Sequence, residues 1–277
     1  MRLNINMKMI IGYYCLTFFA IDSNAQTTIN AGAVSGKWIK AKSPYYIKGN
    51  ITVPKDSVLI IESGVKIRFD GKFMIAVYGK INAMGKQSDS ISFYPQDTLN
   101  RWRGIRFFGT KQLKDSATFS YCIFERAGPK LTKTESVLYL TRGHFIVSNC
   151  VFRFNNGFQR PNCILGDSLL SLKISNCYFY RNFSINSDPS YSSFGNGAVV
   201  GVTNGLVDNC IFEGNVLKNP YFSQDAYSVD GSGGTLSVSD IVEKNMNVTI
   251  SNCRFLKNVT GSHSSAISPY PWNKGSK

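Results

Sequence analysis

Apolar and polar positions along this chain alternate in short bursts around five similar points. With Cys150, Cys177 and Cys253 as references, apolar residues stand five and three positions earlier, as Phe145/Val147, Leu172/Ile174 and Val248/Ile250. Val207 and Phe119 hold the three-before position ahead of Cys210 and Cys122. The Cys itself and an aromatic two residues later continue the alternation beyond a polar break, Ser-Asn or Asp-Asn in four copies. A period of two on both sides of a break predicts two brief strands, each with one buried face. The Asn before each Cys suits a left-handed residue at a sharp bend. A third apolar run lies about thirteen residues upstream of each Cys. It reads Val137-Leu138-Tyr139, Cys163-Ile164-Leu165, Ala198-Val199-Val200 and, shifted by an insertion, Thr235-Leu236-Ser237-Val238.

These bursts repeat as a phrase: Asn149-Cys150-Val151-Phe152, Asn176-Cys177-Tyr178-Phe179, Asn209-Cys210-Ile211-Phe212 and Asn252-Cys253-Arg254-Phe255, with Tyr121-Cys122-Ile123-Phe124 as a weaker first copy. Four copies reach an Asn three residues past the Phe: Asn155, Asn182, Asn215 and Asn258. Successive cysteines are 28, 27, 33 and 43 residues apart, a spacing that signals stacked repeats. Helical repeats need longer runs at period 3.6, whereas β-branched, aromatic and turn residues dominate here. The expectation is an all-β chain, a single parallel β-helix with three short strands per coil and inward rows of Cys, Phe and Asn. Residues 38–108 have the same texture without the Cys phrase, in Ile51-Thr52-Val53, Val58-Leu59-Ile60-Ile61 and Val65 to Phe69. They read as opening coils of the same unit. Roughly ten coils at about 4.8 Å each would make a rod about 50 Å long.

The first 25 residues read as an export signal. Arg2 and Lys8 precede an apolar stretch, Met9 to Ile21, too short to span a bilayer, and Ser23-Asn24-Ala25 offers a small-residue cleavage site before Gln26. The expected domains are therefore a signal peptide (1–25), a β-helix (26–268) and a short tail (269–277). Cleavage would leave a chain without a transmembrane segment, destined for the periplasm, cell surface or exterior. It would lower the formal charge from +14 to about +13. That excess favours anionic partners such as an acidic polysaccharide or envelope glycan. No motif points to specific nucleic-acid recognition.

The repeats resemble the right-handed parallel β-helix proteins of the pectin-lyase-like superfamily, from about Trp38 to Ile267. Phe-x-x-Asn followed by Gly197-Ala198-Val199, Gly233-Gly234-Thr235-Leu236 or Ser265-Ala266-Ile267 is similar to the repeat of polymorphic outer-membrane proteins. The resemblance implies right-handed coiling. It does not imply one activity, because this scaffold carries lyases, hydrolases, epimerases and adhesins.

Candidate chemistry is sparse. Cysteines in one inward slot sit about 4.8 Å apart across strands, wider than a relaxed disulfide wants, so free thiols are expected. A row does not converge on a metal, and neither metal nor cofactor is expected. The asparagines are expected to bond to one another along the stack. Paired carboxylates for glycoside hydrolysis are not evident among the scattered acids. His144 fits an outward surface position as well as a general base, His263 lies in a Ser-rich turn, and Arg101-Trp102-Arg103-Gly104 reads as a structural coil entry. Insertions follow Asn182, Asn215 and Ser239, and loops on a rigid rod are where function concentrates. The expected ligand-binding residues are Tyr191, Phe194, Tyr221, Phe222, Asp225 and Tyr227, aromatics and an acid suited to stacking on sugar rings. At the C-terminus, Pro269 and Pro271 are expected to stop the strand begun at Ile267, leaving either an open end or a Trp272 tail folded across it. The functional expectation is a non-catalytic exported protein presenting a basic surface to glycans or the envelope. The alternatives are a polysaccharide lyase or hydrolase on the same fold, or a fragment of a longer β-helix protein.

Overall fold

The structure is a computed structural model; the residues described are 26–109, 116–128, 136–158, 162–185, 199–218, 235–239, 247–260 and 266–270. The proposed signal segment and the residues after Tyr270, Trp272 included, lie outside them. The described chain is all-β, with one short 3-10 turn at Lys40–Lys42. Every strand-to-strand pairing is parallel, and the strands form four sheets.

Sheet A holds nine strands in chain order: Thr27–Ile29, Tyr45–Ile47, Lys66–Phe69, Ile91–Pro95, Cys122–Glu125, Val151–Arg153, Tyr178–Tyr180, Ile211–Glu213 and Arg254–Leu256. Sheet B holds nine more: Gly32–Ala33, Ile51–Val53, Met74–Val77, Gly104–Phe107, Leu138–Thr141, Ile164–Asp167, Val200–Val202, Leu236–Ser239 and Ile267–Tyr270. Sheet C holds eight: Gly36–Trp38, Val58–Ile61, Lys80–Met84, Ser116–Ser120, His144–Ser148, Ser171–Ser175, Asn204–Asp208 and Asn247–Ser251. The chain visits A, B and C in that order and then returns to A. From Asn156 onward a fourth ladder, sheet D, enters between A and B, built from Asn156–Phe158, Phe183–Ile185, Val216–Lys218 and Val259–Thr260. The later rounds thus carry four strands rather than the expected three.

Register follows the repeat phrase. Phe93, Phe124, Phe152, Phe179, Phe212 and Phe255 align across sheet A. Their rings stack with centroids 4.7–5.0 Å apart. That spacing repeats the strand separation, so each ring covers the next without leaving its rotamer. Trp102 extends the stack, 4.4 Å from Phe69, while its indole N–H donates to the Glu125 carbonyl at 2.9 Å. Arg101 donates to the carbonyls of Ala127 and Phe154, the latter at 2.6 Å. Arg101-Trp102 therefore ties successive rounds together, a structural role.

Two corners flank each strand of sheet A from Cys122 onward. Tyr121, Asn149, Asn176, Asn209 and Asn252 all have φ between 48° and 54°, the left-handed conformation expected before each Cys. A second row of positive φ follows the strands, at Arg126, Phe154, Arg181, Gly214 and Lys257. The six cysteines among the described residues are free, and five are buried. Asn155, Asn182 and Asn215 of the inner row are bonded on both sides, and Asn258 to the preceding round. Asn155 donates through Nδ2 to Asn182 Oδ1 (3.0 Å), Asn182 to Asn215 (2.9 Å) and Asn215 to Asn258 (2.9 Å). The same Oδ1 atoms accept the backbone N–H of the preceding Asn, and each Nδ2 also donates to a Phe carbonyl. Buried amides this fully partnered fix one register.

A second expectation is corrected. Pro269 does not stop its strand: Ile267–Tyr270 pairs through all four residues with Leu236–Ser239, Pro269 opposite Val238. Its missing N–H is tolerated because this is the outermost strand of sheet B, with no described ladder on its far side.

Candidate functional site: the outer face of sheet C

Alternation on sheet C turns Ala117, Phe145, Leu172 and Val207 inward, where all are buried. The outward residues align in three files across five strands. The first file is Ser116, His144, Ser171, Asn204 and Asn247; the middle file is Thr118, Ile146, Lys173, Leu206 and Thr249. The third is Ser120, Ser148, Ser175, Asp208 and Ser251. The first two files line a groove of about 750 Å³, open along the sheet. Clefts that hold small molecules span about 300–1,000 Å³. This one runs along the stacking direction and suits a length of chain.

The groove is polar at its edge and mixed along its floor. His144 Nδ1 lies 2.8 Å from Ser171 Oγ, and its Nε2 is buried without a hydrogen-bond partner. Asn204 donates to the Leu170 carbonyl at 3.1 Å. In the middle file Ile146 is 46% exposed and Lys173 is exposed between Ile146 and Leu206. The third file holds two separate hydrogen bonds, Ser148 to Ser120 at 3.2 Å and Ser251 to Asp208 at 2.7 Å. Asn252 also donates to Asp208, at 2.9 Å, and these donors hold the Asp208 carboxyl below its ordinary pKa, Ser251 first.

Gly205 shapes the floor. Its φ is +139°, and a Cβ there would stand 1.9 Å from the Leu172 carbonyl oxygen. Only glycine lets the two strands approach this closely. Connection lengths frame the groove as well. Two residues separate Thr141 from His144, three separate Asp167 from Ser171, and one separates Val202 from Asn204. Eight residues lead from Phe107 to Ser116 and seven from Ser239 to Asn247, so long connections enter the groove's two outermost strands.

The sequence singled out His144, and the structure places it at the groove's edge. Lys173, Leu206, Asn204 and Gly205 were missed: the alternation shows that Lys173 and Leu206 face outward, but not that their faces align. The six expected ligand residues, Tyr191, Phe194, Tyr221, Phe222, Asp225 and Tyr227, lie outside the described residues, as does His263. Two of the three insertions leave sheet D and return to sheet B, after Ile185 and after Lys218; the third joins Ser239 of sheet B to Asn247 of sheet C. Among the described residues no group of three His, Cys, Asp or Glu is placed to hold a metal ion. No described helix is long and apolar enough to cross a membrane.

Comparison with protein-family models, with curated proteins and with solved structures found no match.

Proposed function

We propose that this chain forms a single right-handed parallel β-helix, is exported, and binds glycans without transforming them. The observation that supports this reading best is the sheet C groove. Its outward lining combines two aliphatic side chains, one ammonium and a file of hydroxyl and amide groups, repeated at the strand spacing. Sugars present the same alternation of C–H surface and hydroxyls, and a few fixed polar groups in an otherwise apolar cleft set orientation. No carboxylate stands among the described lining residues, so the acid pair of a glycoside hydrolase is not part of this lining. The cyclic order of the sheets supports the β-helix reading, and right-handed crossover is the rule for parallel strands.

The test is a binding screen of the mature chain against immobilised neutral and acidic glycans, repeated with Leu206→Trp to fill the groove. The expected outcome is retained folding and a loss of at least about tenfold in affinity, the equivalent of about 1.4 kcal/mol. Glycan binding indifferent to that substitution would remove the groove from the account. A second reading, a polysaccharide lyase, draws on His144 and Lys173 lining the same groove, either of which has the chemistry of a general base. Release of unsaturated ends from an acidic polysaccharide, abolished by His144→Ala or Lys173→Ala, would establish it in place of binding alone.

A further inference from the structure

A different face carries a second site. The left-handed corner after sheet A places Arg126, Phe154, Arg181, Gly214 and Lys257 in one file, one per round. Beside it, the last outward position of each strand gives Glu125, Arg153, Tyr180, Glu213 and Leu256. The Arg126 guanidinium lies 5.3 Å over the Phe154 ring, Phe154 meets Tyr180 edge to face at 5.8 Å, and Arg181 lies 5.0 Å over Tyr180. Two guanidiniums are thus braced on aromatic rings across three rounds. Bracing removes rotamer freedom that binding would otherwise have to remove; the Arg181 fork is exposed, whereas the Arg126 fork already meets Glu125.

The carboxylates on this face are engaged. Glu125 takes both Arg126 and, at 2.7–2.8 Å, Arg153. Glu213 accepts the Tyr178 hydroxyl at 2.6 Å. Arg181 and Lys257 are exposed and have no carboxylate ion-pair partner among the described residues, and Gly214 between them carries no side chain to separate them. A Cβ on Gly214 would already touch Arg181 Cγ, at 3.4 Å, so the Arg181 stem lies along this bare position.

We propose that this corner, from Arg126 to Lys257, binds a linear polysaccharide bearing carboxylates, laid parallel to the stacking direction. Within the corner file Arg126, Arg181 and Lys257 recur at every second round, about 9.6 Å apart at about 4.8 Å per strand step. A DNA strand carries one charge per ~3.4 Å, so its charges do not match this spacing. Single-stranded nucleic acid is held by stacking on open rings, yet Phe154 and Tyr180 are already capped by guanidiniums. An acidic glycan needs neither feature. It needs forked donors at intervals, which Arg supplies to carboxylates bidentately. This site is separate from the sheet C groove and stands without it.

The experiment titrates the mature chain with polygalacturonate, with its fully methyl-esterified form, with dextran and with oligo(dT). Polygalacturonate is expected to bind, more weakly as NaCl rises, and the ester and dextran not to bind at this corner. Arg181→Ala/Lys257→Ala is expected to weaken polygalacturonate at least about tenfold, while Lys55→Ala/Lys66→Ala, removing equal charge elsewhere, changes it less than about twofold. Both pairs are exposed, so equal thermal midpoints serve as the folding check. Leu206→Trp should leave polygalacturonate binding intact, which separates this site from the groove. Equal losses in both double variants would reduce the effect to net charge and overturn the proposal. So would tighter binding of oligo(dT), or no binding of polygalacturonate.

Discussion

Asn182 shows how much one side chain can decide. Its Oδ1 accepts from Asn155 at two donors, the backbone N–H and Nδ2, and its Nδ2 donates to the Phe152 carbonyl and to Asn215. Replacing it with Ala orphans two donors of Asn155 in a site without water access. Each buried orphan costs about 1–3 kcal/mol, so Asn182→Ala should destabilise by about 3–5 kcal/mol in denaturant unfolding. Asn247→Ala, on the exposed first file, should stay within about 0.5 kcal/mol. A loss below about 1 kcal/mol for Asn182→Ala would mean that the amide row does not hold the register. The same bonds explain a corner that the sequence hides. Arg126, Phe154, Arg181 and Lys257 have no preference for positive φ, and Gly214 alone hints at it. After Arg126, Phe154, Arg181 and Gly214 the conformation is imposed by the next residue, Ala127, Asn155, Asn182 or Asn215, whose N–H must reach the Asn Oδ1 of the following round, rather than by the corner residue itself.

At the scale of strands and rows, the thiols give the next test. Cys122, Cys150, Cys163, Cys177 and Cys210 are buried, and Cys253 is half-buried. Burial pushes the thiols of Cys150, Cys163 and Cys177 well up, chiefly by desolvation, whereas the neighbouring Cys177 contributes most for Cys210. The thiolate is the reactive form, so alkylation of the folded chain should reach Cys253 first and the other five only on unfolding. Mass analysis after timed alkylation, with and without reductant, checks this; extra alkylatable thiols after reduction would contradict it. Strands with strong alternation, such as Phe145/Val147 and Leu172/Ile174, were legible from the sequence, as was the left-handed Asn before each Cys. Sheet D was not. Its strands are two or three residues long, and the inward positions of two of them are Gly157 and Ser184, so no apolar alternation betrays them. The Lys173–Leu206 juxtaposition was hidden for another reason: alternation gives the face, but register across 33 residues comes only from pairing.

For the whole molecule, both proposed sites depend on one fact: outward residues from rounds far apart in sequence stand in straight files. The groove needs Ser116 through Asn247 in register, and the basic corner needs Arg126 through Lys257. The most direct test is a pulsed electron-spin distance between labels at Ser92→Cys and Arg254→Cys. These positions share one outward file of sheet A, five strand steps apart. Cys253, half-buried beside the second label, is replaced with Ser, and slow labelling of the five buried native thiols then keeps the pair selective. The account predicts a narrow distribution centred about 24 Å between backbones, five steps of about 4.8 Å, plus the label linkers. A broad distribution, or a centre beyond about 40 Å, would contradict the in-register stack on which both sites rest.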